Sequence, residues 1–203
     1  REPMTTQRCL VVAAIILVPG TTAPGAQTQS AETRVAPFTP VTPERLLNAE
    51  AEPHNWLMYS GNYKSQRYSG LDQIHRRNTA ELEIQWVYQL GTIDRAETTP
   101  LVVDGVMYIT ESPSTVIAVD AATGRPYWRY QHRLPDDMVF CCGRNNRGVA
   151  VQGDRVIMST LDAHLVALDA KTGIVVWETE VQDTAAGYSK TAAPLIVGDK
   201  IFT

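Results

Sequence analysis

Apolar and polar positions alternate in short bursts along the second half of the chain, and each burst ends at a turn dipeptide. Leu101-Val-Val-Asp-Gly-Val-Met-Tyr-Ile109 is two bursts joined at Asp104-Gly105. Val149-Ala-Val-Gln-Gly-Asp-Arg-Val-Ile-Met158 repeats the form around Gly153-Asp154, and Leu195-Ile-Val-Gly-Asp-Lys-Ile-Phe202 around Gly198-Asp199. A period of two over a few residues predicts β-strands, and these dipeptides supply the positive φ that tight hairpins require. One unit parses into four strands, at 148–152, 155–160, 164–169 and 174–180. The third strands, 116–119 and 165–168, are apolar throughout, as expected where sheets are covered on both faces.

The pattern is a repeat. Val116-Ile-Ala-Val-Asp-Ala-Ala-Thr-Gly124 followed by Trp128 recurs as Leu165-Val-Ala-Leu-Asp-Ala-Lys-Thr-Gly173 followed by Trp177, at an offset of 49 residues. Trp86, in Ile84-Gln-Trp-Val-Tyr88, fits the tail of an earlier copy, 42 residues before Trp128. Four antiparallel strands in each such period define a blade of an all-β propeller, with the Trp of each last strand packing between neighbouring sheets. A plain β-sandwich has similar turn spacing, but it has no reason to repeat itself. Residues 84–203 hold the end of one blade, two whole blades and the start of another, about three blades in all. Propellers close with roughly four to eight. The expectation is therefore the N-terminal, truncated part of a longer protein.

The first fifty residues have a different character. Arg8 precedes the apolar run from Cys9 to Val18, and Pro19, Gly20, Pro24 and Gly25 then break any helix. A basic flank before a short apolar run reads as a secretory signal over residues 1–30, and an uncleaved anchor is the alternative. The run is too short to cross a bilayer, so no integral span is expected after cleavage. Residues 31–53, with Pro37, Pro40, Pro43 and Pro53, read as a Pro-rich linker carrying at most one helical turn near 43–49. Residues 54–203 are the propeller part. Export predicts the periplasm, where a Cys-Cys bond can persist.

Charge and composition narrow the chemistry. With 18 basic and 22 acidic residues the formal net charge is −4, and no basic run is present, which argues against nucleic-acid binding. Three cysteines cannot make a disulfide scaffold, but Cys141 and Cys142 are adjacent. In a propeller the segment leading into each first strand approaches the central axis, and here those segments are 91–100, 131–148 and 182–194. Glu97 and Thr191 each stand three residues before a proline (Pro100, Pro194), and Asn146 and Arg147 fall on or next to that register. A carboxylate, a guanidinium, a hydroxyl and an amide would converge there on an anionic, oxygen-rich ligand. If bonded, Cys141-Cys142 closes a strained eight-membered ring; free thiols or a bridge to a partner are the alternatives. The four histidines show no metal-ligand spacing and read as surface or turn residues, and Lys64, Arg67, Arg76 and Arg77 read as a solvated patch.

Cys141-Cys142-Gly-Arg-Asn-Asn-Arg147-Gly-Val-Ala150 resembles the vicinal-cysteine motif of pyrroloquinoline-quinone (PQQ)-dependent alcohol dehydrogenases of the methanol/ethanol family. Asn55-Trp56, Tyr68-Ser-Gly-Leu-Asp-Gln73, Glu97-Thr-Thr-Pro100 and Gly187-Tyr-Ser-Lys-Thr-Ala-Ala-Pro194 resemble it too. The resemblance implies an eight-bladed propeller with the quinone on its axis. It matches Cys141 and Cys142 to a disulfide stacked on one face of the quinone, and Arg147, Glu97 and Thr191 to residues that hold it. It further implies oxidation of small primary alcohols, a Ca²⁺ or lanthanide ion as Lewis acid, a cytochrome c electron acceptor and a possible homodimer. Gly143-Arg144 departs from the family pattern, which leaves the shape of that loop open. In the family the metal ligands and the catalytic Asp lie further along the chain, so none is expected before Thr203. No Cys-x-x-Cys-His attaches a haem within these residues. The rival readings are a quinone-free propeller serving as an interaction platform in the cell envelope, and a sugar-oxidising quinoprotein. The first leaves the double cysteine and Arg147 without a use, and the second resembles the blades but lacks the double cysteine.

Overall fold

Strands form where the apolar bursts lie, and their two faces pack against different neighbours. The computed structural model describes residues 36–140 and 143–203. The expected leader over residues 1–30 and the pair Cys141 and Cys142 lie outside the described residues. Four strands make the first sheet: β1 (Leu101–Val103), β2 (Val106–Glu111), β3 (Thr115–Asp120) and β4 (Pro126–Gln131). Four more make the second: β5 (Val149–Gln152), β6 (Arg155–Ser159), β7 (His164–Asp169) and β8 (Val175–Glu180). The hairpin of β9 (Leu195–Val197) and β10 (Lys200–Phe202) follows. Each sheet is antiparallel with its strands in chain order, the layout of a propeller blade. The register slips between Ala118 and Val119 in one blade and between Ala167 and Leu168 in the other, positions 49 residues apart in sequence.

The period of two in the third strands sorts residues into layers. Val116 and Ala118 of β3 share a core with Val166 and Leu168 of β7, together with Leu101, Tyr108, Val149 and Met158. The alternate residues face the other way. Ile117 and Val119 meet Trp86, Tyr88 and Leu90, while Leu165 and Ala167 meet Ile196 and Ile201 of the last hairpin. The inner and middle strands are buried, whereas β8 is exposed along its whole length, which fits a rim strand. Each fully buried Val or Leu contributes roughly 1.5–3 kcal/mol by leaving water.

A tryptophan seam locks one layer to the next. The Trp86 indole donates to the Ala121 carbonyl at 3.1 Å, and Trp128 donates to the Ala170 carbonyl at 3.0 Å. Each ring also lies over the glycine of the following Asp-Ala-x-Thr-Gly turn. A Cβ at Gly124 would sit 2.5 Å from Trp86, and one at Gly173 would sit 2.6 Å from Trp128. The aspartate of the motif holds the turn: Asp169 Oδ1 accepts from the Lys171 and Thr172 amides at 3.1 and 2.9 Å and from the Thr172 hydroxyl at 2.8 Å. Trp86 makes its contact from a segment with no assigned strand, so the tail of the earlier copy keeps its packing role without the ladder.

Residues 36–53, read from sequence as part of a linker, are packed into the core. Ala36, Val41, Leu46 and Ala49 are buried, and Val41 exchanges backbone hydrogen bonds with Gly153 at 2.8 and 2.7 Å. A single short helix, α1 (Pro43–Leu47), starts there, capped by the Thr42 hydroxyl and opened by Pro43. Arg45 then forks onto Glu52 at 2.8 and 2.6 Å and reaches Asp104, at the β1–β2 turn, at 3.1 Å. The prolines hide this docking in the sequence, because the four apolar anchors follow no strand or helix period.

Candidate functional site

Three successive blade approaches are stitched side by side before any side chain is considered. The Thr99 amide donates to the Arg147 carbonyl and the Arg147 amide donates to the Thr191 carbonyl, each at 3.0 Å. That ladder fixes where the three side chains emerge. Arg147 Nη2 pairs with Glu97 Oε2 at 2.8 Å, and Arg147 Nη1 donates to the Thr191 hydroxyl at 2.5 Å. The structure therefore brings Glu97, Arg147 and Thr191 into one cluster. Both charged members keep contact with solvent: the Arg147 side chain is 39% exposed and that of Glu97 30%. A guanidinium already oriented by two partners, with donors left over, suits a planar anionic oxygen ligand.

Asn146 behaves differently from its neighbours. It is buried, its amide nitrogen donates to the Ser159 carbonyl at 3.0 Å, and its Oδ1 accepts from the Gly148 amide at 3.1 Å. The amide expected among the converging groups instead braces the backbone of the Arg147 approach. Counting along the chain places a residue in register but does not tell which way it points.

Two further residues border the cluster and carry no sequence motif of their own. The Arg67 guanidinium lies 5.1 Å from the centre of the Tyr59 ring. A hydrogen bond with Thr99 pulls the Tyr59 phenol below its ordinary range; burial opposes this, and the charges of Arg67 and Arg147 reinforce it. Arg67, read from sequence as part of a solvated patch, thus adds positive charge beside Arg147. The nearby Asn55-Trp56 is structural, since Trp56 bridges to Val102 and Asn55 binds Asp104.

The loop that carries Cys141 and Cys142 is described on either side of the pair. Arg144 lies 5.1 Å from the centre of the Phe140 ring, and a cleft of about 280 Å³ is lined by Asp94, Arg95, Gly143, Arg144 and Asn145. The family model for the beta-propeller domain of glucose/ethanol/alcohol dehydrogenases, designated PQQ, matches residues 56–202. The chain belongs to this PQQ β-propeller family. Among curated relatives of this PQQ propeller chain, quinoprotein alcohol dehydrogenase PedH of Pseudomonas putida is 44% identical over 165 residues, which is 80% of this chain and 28% of that protein. A quinoprotein ethanol dehydrogenase of Pseudomonas putida is 37% identical over 199 residues, 97% of this chain and 30% of that one. In solved structures, the quinohemoprotein alcohol dehydrogenase ADHIIG from Pseudomonas putida HK5 superposes with a TM-score of 0.74 at 39% identity, over 80% of this chain and 24% of its own. A europium-containing methanol dehydrogenase superposes with a TM-score of 0.72 at 34% identity, over 78% of this chain and 28% of its own. The PQQ propeller chain thus spans less than a third of the length of these relatives. Among the described residues no helix is long and apolar enough to cross a membrane.

Proposed function

We propose that this chain supplies cofactor-holding residues to a periplasmic quinoprotein dehydrogenase that oxidises primary alcohols. The observation that carries the reading is Arg147, held between Glu97 and Thr191 at the meeting of three blade approaches and five residues after Cys142. The residues present fit the PQQ that the family's name specifies. A half-exposed guanidinium and a hydroxyl offer donors to an anionic guest, while Glu97 keeps the guanidinium in place and accepts from a protonated edge. When bound, the quinone supplies a two-electron acceptor for hydride, aided by a Ca²⁺ or lanthanide Lewis acid.

The chain's own residues bind and orient. Arg147 anchors carboxylate or carbonyl oxygens, and because Glu97 and Thr191 already fix its plane, little side-chain entropy remains to be lost on binding. Cys141 and Cys142 are assigned the flat face against which the guest stacks. Arg67, seated over the Tyr59 ring, keeps the rim of the site positive. None of the residues named here is assigned to the metal, and a cytochrome c is the expected electron acceptor.

The test is a titration of the full-length protein with PQQ, followed by tryptophan fluorescence, and a dye-reduction assay with a primary alcohol in the presence of Ca²⁺. Losing a charge-assisted hydrogen bond costs about 1.5–3 kcal/mol, so Arg147→Ala should weaken PQQ binding about 10- to 150-fold. Replacing Cys141 and Cys142 by Ala should strongly reduce turnover. Unchanged affinity in Arg147→Ala would refute the assignment.

A further inference from the structure

Two of the four histidines that look scattered in sequence, His132 and His164, meet in space. His132, just past the end of β4 in the first blade, is buried against Asp162 in the β6–β7 turn of the second. Its Nε2 lies 2.8 and 3.0 Å from the two Asp162 carboxylate oxygens. His164, the first residue of β7, brings Nδ1 to 3.5 Å from Asp162 Oδ1 and donates from it to the Asp162 carbonyl at 2.9 Å, a hydrogen bond that a metal at Nδ1 would replace. A donor atom from each of the three residues falls within 4.8 Å of the others. Nothing in the quinone reading uses any of them.

We propose that His132, Asp162 and His164 form a zinc-class divalent metal site that pins the exit of β4 in one blade to the β6–β7 turn of the next. The donor set decides the class. Two imidazoles and one carboxylate suit Zn²⁺ and its neighbours, whereas Ca²⁺ and Mg²⁺ prefer oxygen throughout. Bonds of about 2.0–2.2 Å to a tetrahedral Zn²⁺ place ligand atoms about 3.3–3.6 Å apart, and Asp162 Oδ1 stands 3.0 Å from His132 Nε2 and 3.5 Å from His164 Nδ1, so a small outward shift of His132 would make room for the ion.

Hydrogen bonds from surrounding groups hold the donors in place, as the partners of metal ligands do. The Thr160 hydroxyl donates to Asp162 Oδ1 at 2.5 Å, and the Thr184 hydroxyl donates to the Asp162 carbonyl at 2.8 Å. Without a metal, His132 Nε2–H donates to the Asp162 carboxylate; metal binding displaces that proton, and Nδ1, which faces the Tyr130 hydroxyl at 3.4 Å and a Glu178 carboxylate oxygen at 3.8 Å, is placed to carry the ring's remaining one. The turn itself is tied to the first blade, because the Leu161 amide donates to the Ser114 hydroxyl at 3.2 Å. His164 is 26% exposed, which leaves a way in and a fourth position for water. A cleft of about 470 Å³ that includes His132, Arg133, Asp136 and Phe140 adjoins it.

The experiment uses the protein without an affinity tag, stripped with chelator and kept in excess Ca²⁺ so that oxygen-only sites are filled. Zn²⁺ is titrated calorimetrically, and Co²⁺ serves as an optical probe of the unaltered chain. The expected result is one equivalent of tightly bound Zn²⁺, intense d–d absorption from Co²⁺ and a raised Tm. Removing a direct ligand in His164→Ala should weaken Zn²⁺ binding by at least the roughly 10- to 100-fold that loss of an outer-shell partner costs. His164 is the least buried of the three, which spares the fold, and the Co²⁺ spectrum needs no variant. Absence of stoichiometric Zn²⁺ uptake, a Co²⁺ spectrum of the hydrated ion, or equal affinity in His164→Ala and the unaltered chain would each overturn the site.

Discussion

Gly173→Ala tests whether the tryptophan seam holds adjacent blades in the alignment that brings Arg147 to Glu97. Gly173 has φ near +72°, and an added Cβ would meet Trp128 ring carbons at 2.6 and 2.7 Å. Two costs combine. A left-handed conformation costs an L-residue about 1–2 kcal/mol. Forcing a methyl into a filled contact costs about 1–3 kcal/mol more, since the indole is held by its hydrogen bond to the Ala170 carbonyl and cannot slide freely. The sum is about 2–5 kcal/mol. Gly105→Ala is the matched control: its φ is near +84° and nothing lies within 4 Å of the added Cβ, so only the backbone cost of about 1–2 kcal/mol applies. Urea unfolding followed by tryptophan fluorescence measures both, provided the slopes agree with the parent. Gly173→Ala should lie below Gly105→Ala by about 1–3 kcal/mol. Equal losses in the two variants would mean that the ring does not close over the turn, and the seam would lose its role in aligning the blades.

Two other perturbations probe neighbouring parts of the same scaffold. The hydrogen bond from Arg45 holds the Glu52 carboxyl below its ordinary range against the cost of burial, and Asp104, whose burial works the other way, is held low by Thr39, Arg45 and Asn55. Depressed folded-state values mean that the stabilisation is complete above the unfolded values of about 4 and is lost as pH falls through the folded ones. Thermal melts should therefore drop steeply below about pH 4, and Arg45→Met should lower stability at pH 7 by roughly 1–3 kcal/mol while flattening that acid limb; an unchanged limb would show that the pairs contribute nothing. Asn146→Ala leaves the Ser159 carbonyl and the Gly148 amide without their partner, which should cost about 2–4 kcal/mol in a chemical melt. A loss under about 0.5 kcal/mol would return Asn146 to the ligand-facing group.

What the sequence made legible and what it hid divide along the range of the interactions. The strands and hairpins are set by neighbours a few positions apart, so period and turn dipeptides locate them closely: the third strand of the second blade, expected at 164–169, is β7 (His164–Asp169). The Glu97–Arg147–Thr191 cluster was also readable, because the repeat carries one register through three approaches and the backbone bonds between Thr99, Arg147 and Thr191 preserve it. Side-chain direction was not, as Asn146 shows. Nor was the contact between His132 and Asp162, made where one blade stacks on the next: they stand 30 residues apart and belong to no common motif. Trp128 marks the boundary between the two cases. Its recurrence was visible as a period, yet its partner, the glycine 45 residues later, could be assigned only once the layers were seen to overlap. In a repeat fold, therefore, positions shared by every copy can be read one blade at a time, whereas chemistry that belongs to a single seam between blades has no second copy to announce it. The histidine–aspartate cluster is of that second kind, and for that reason its test requires metal-binding measurements rather than pattern.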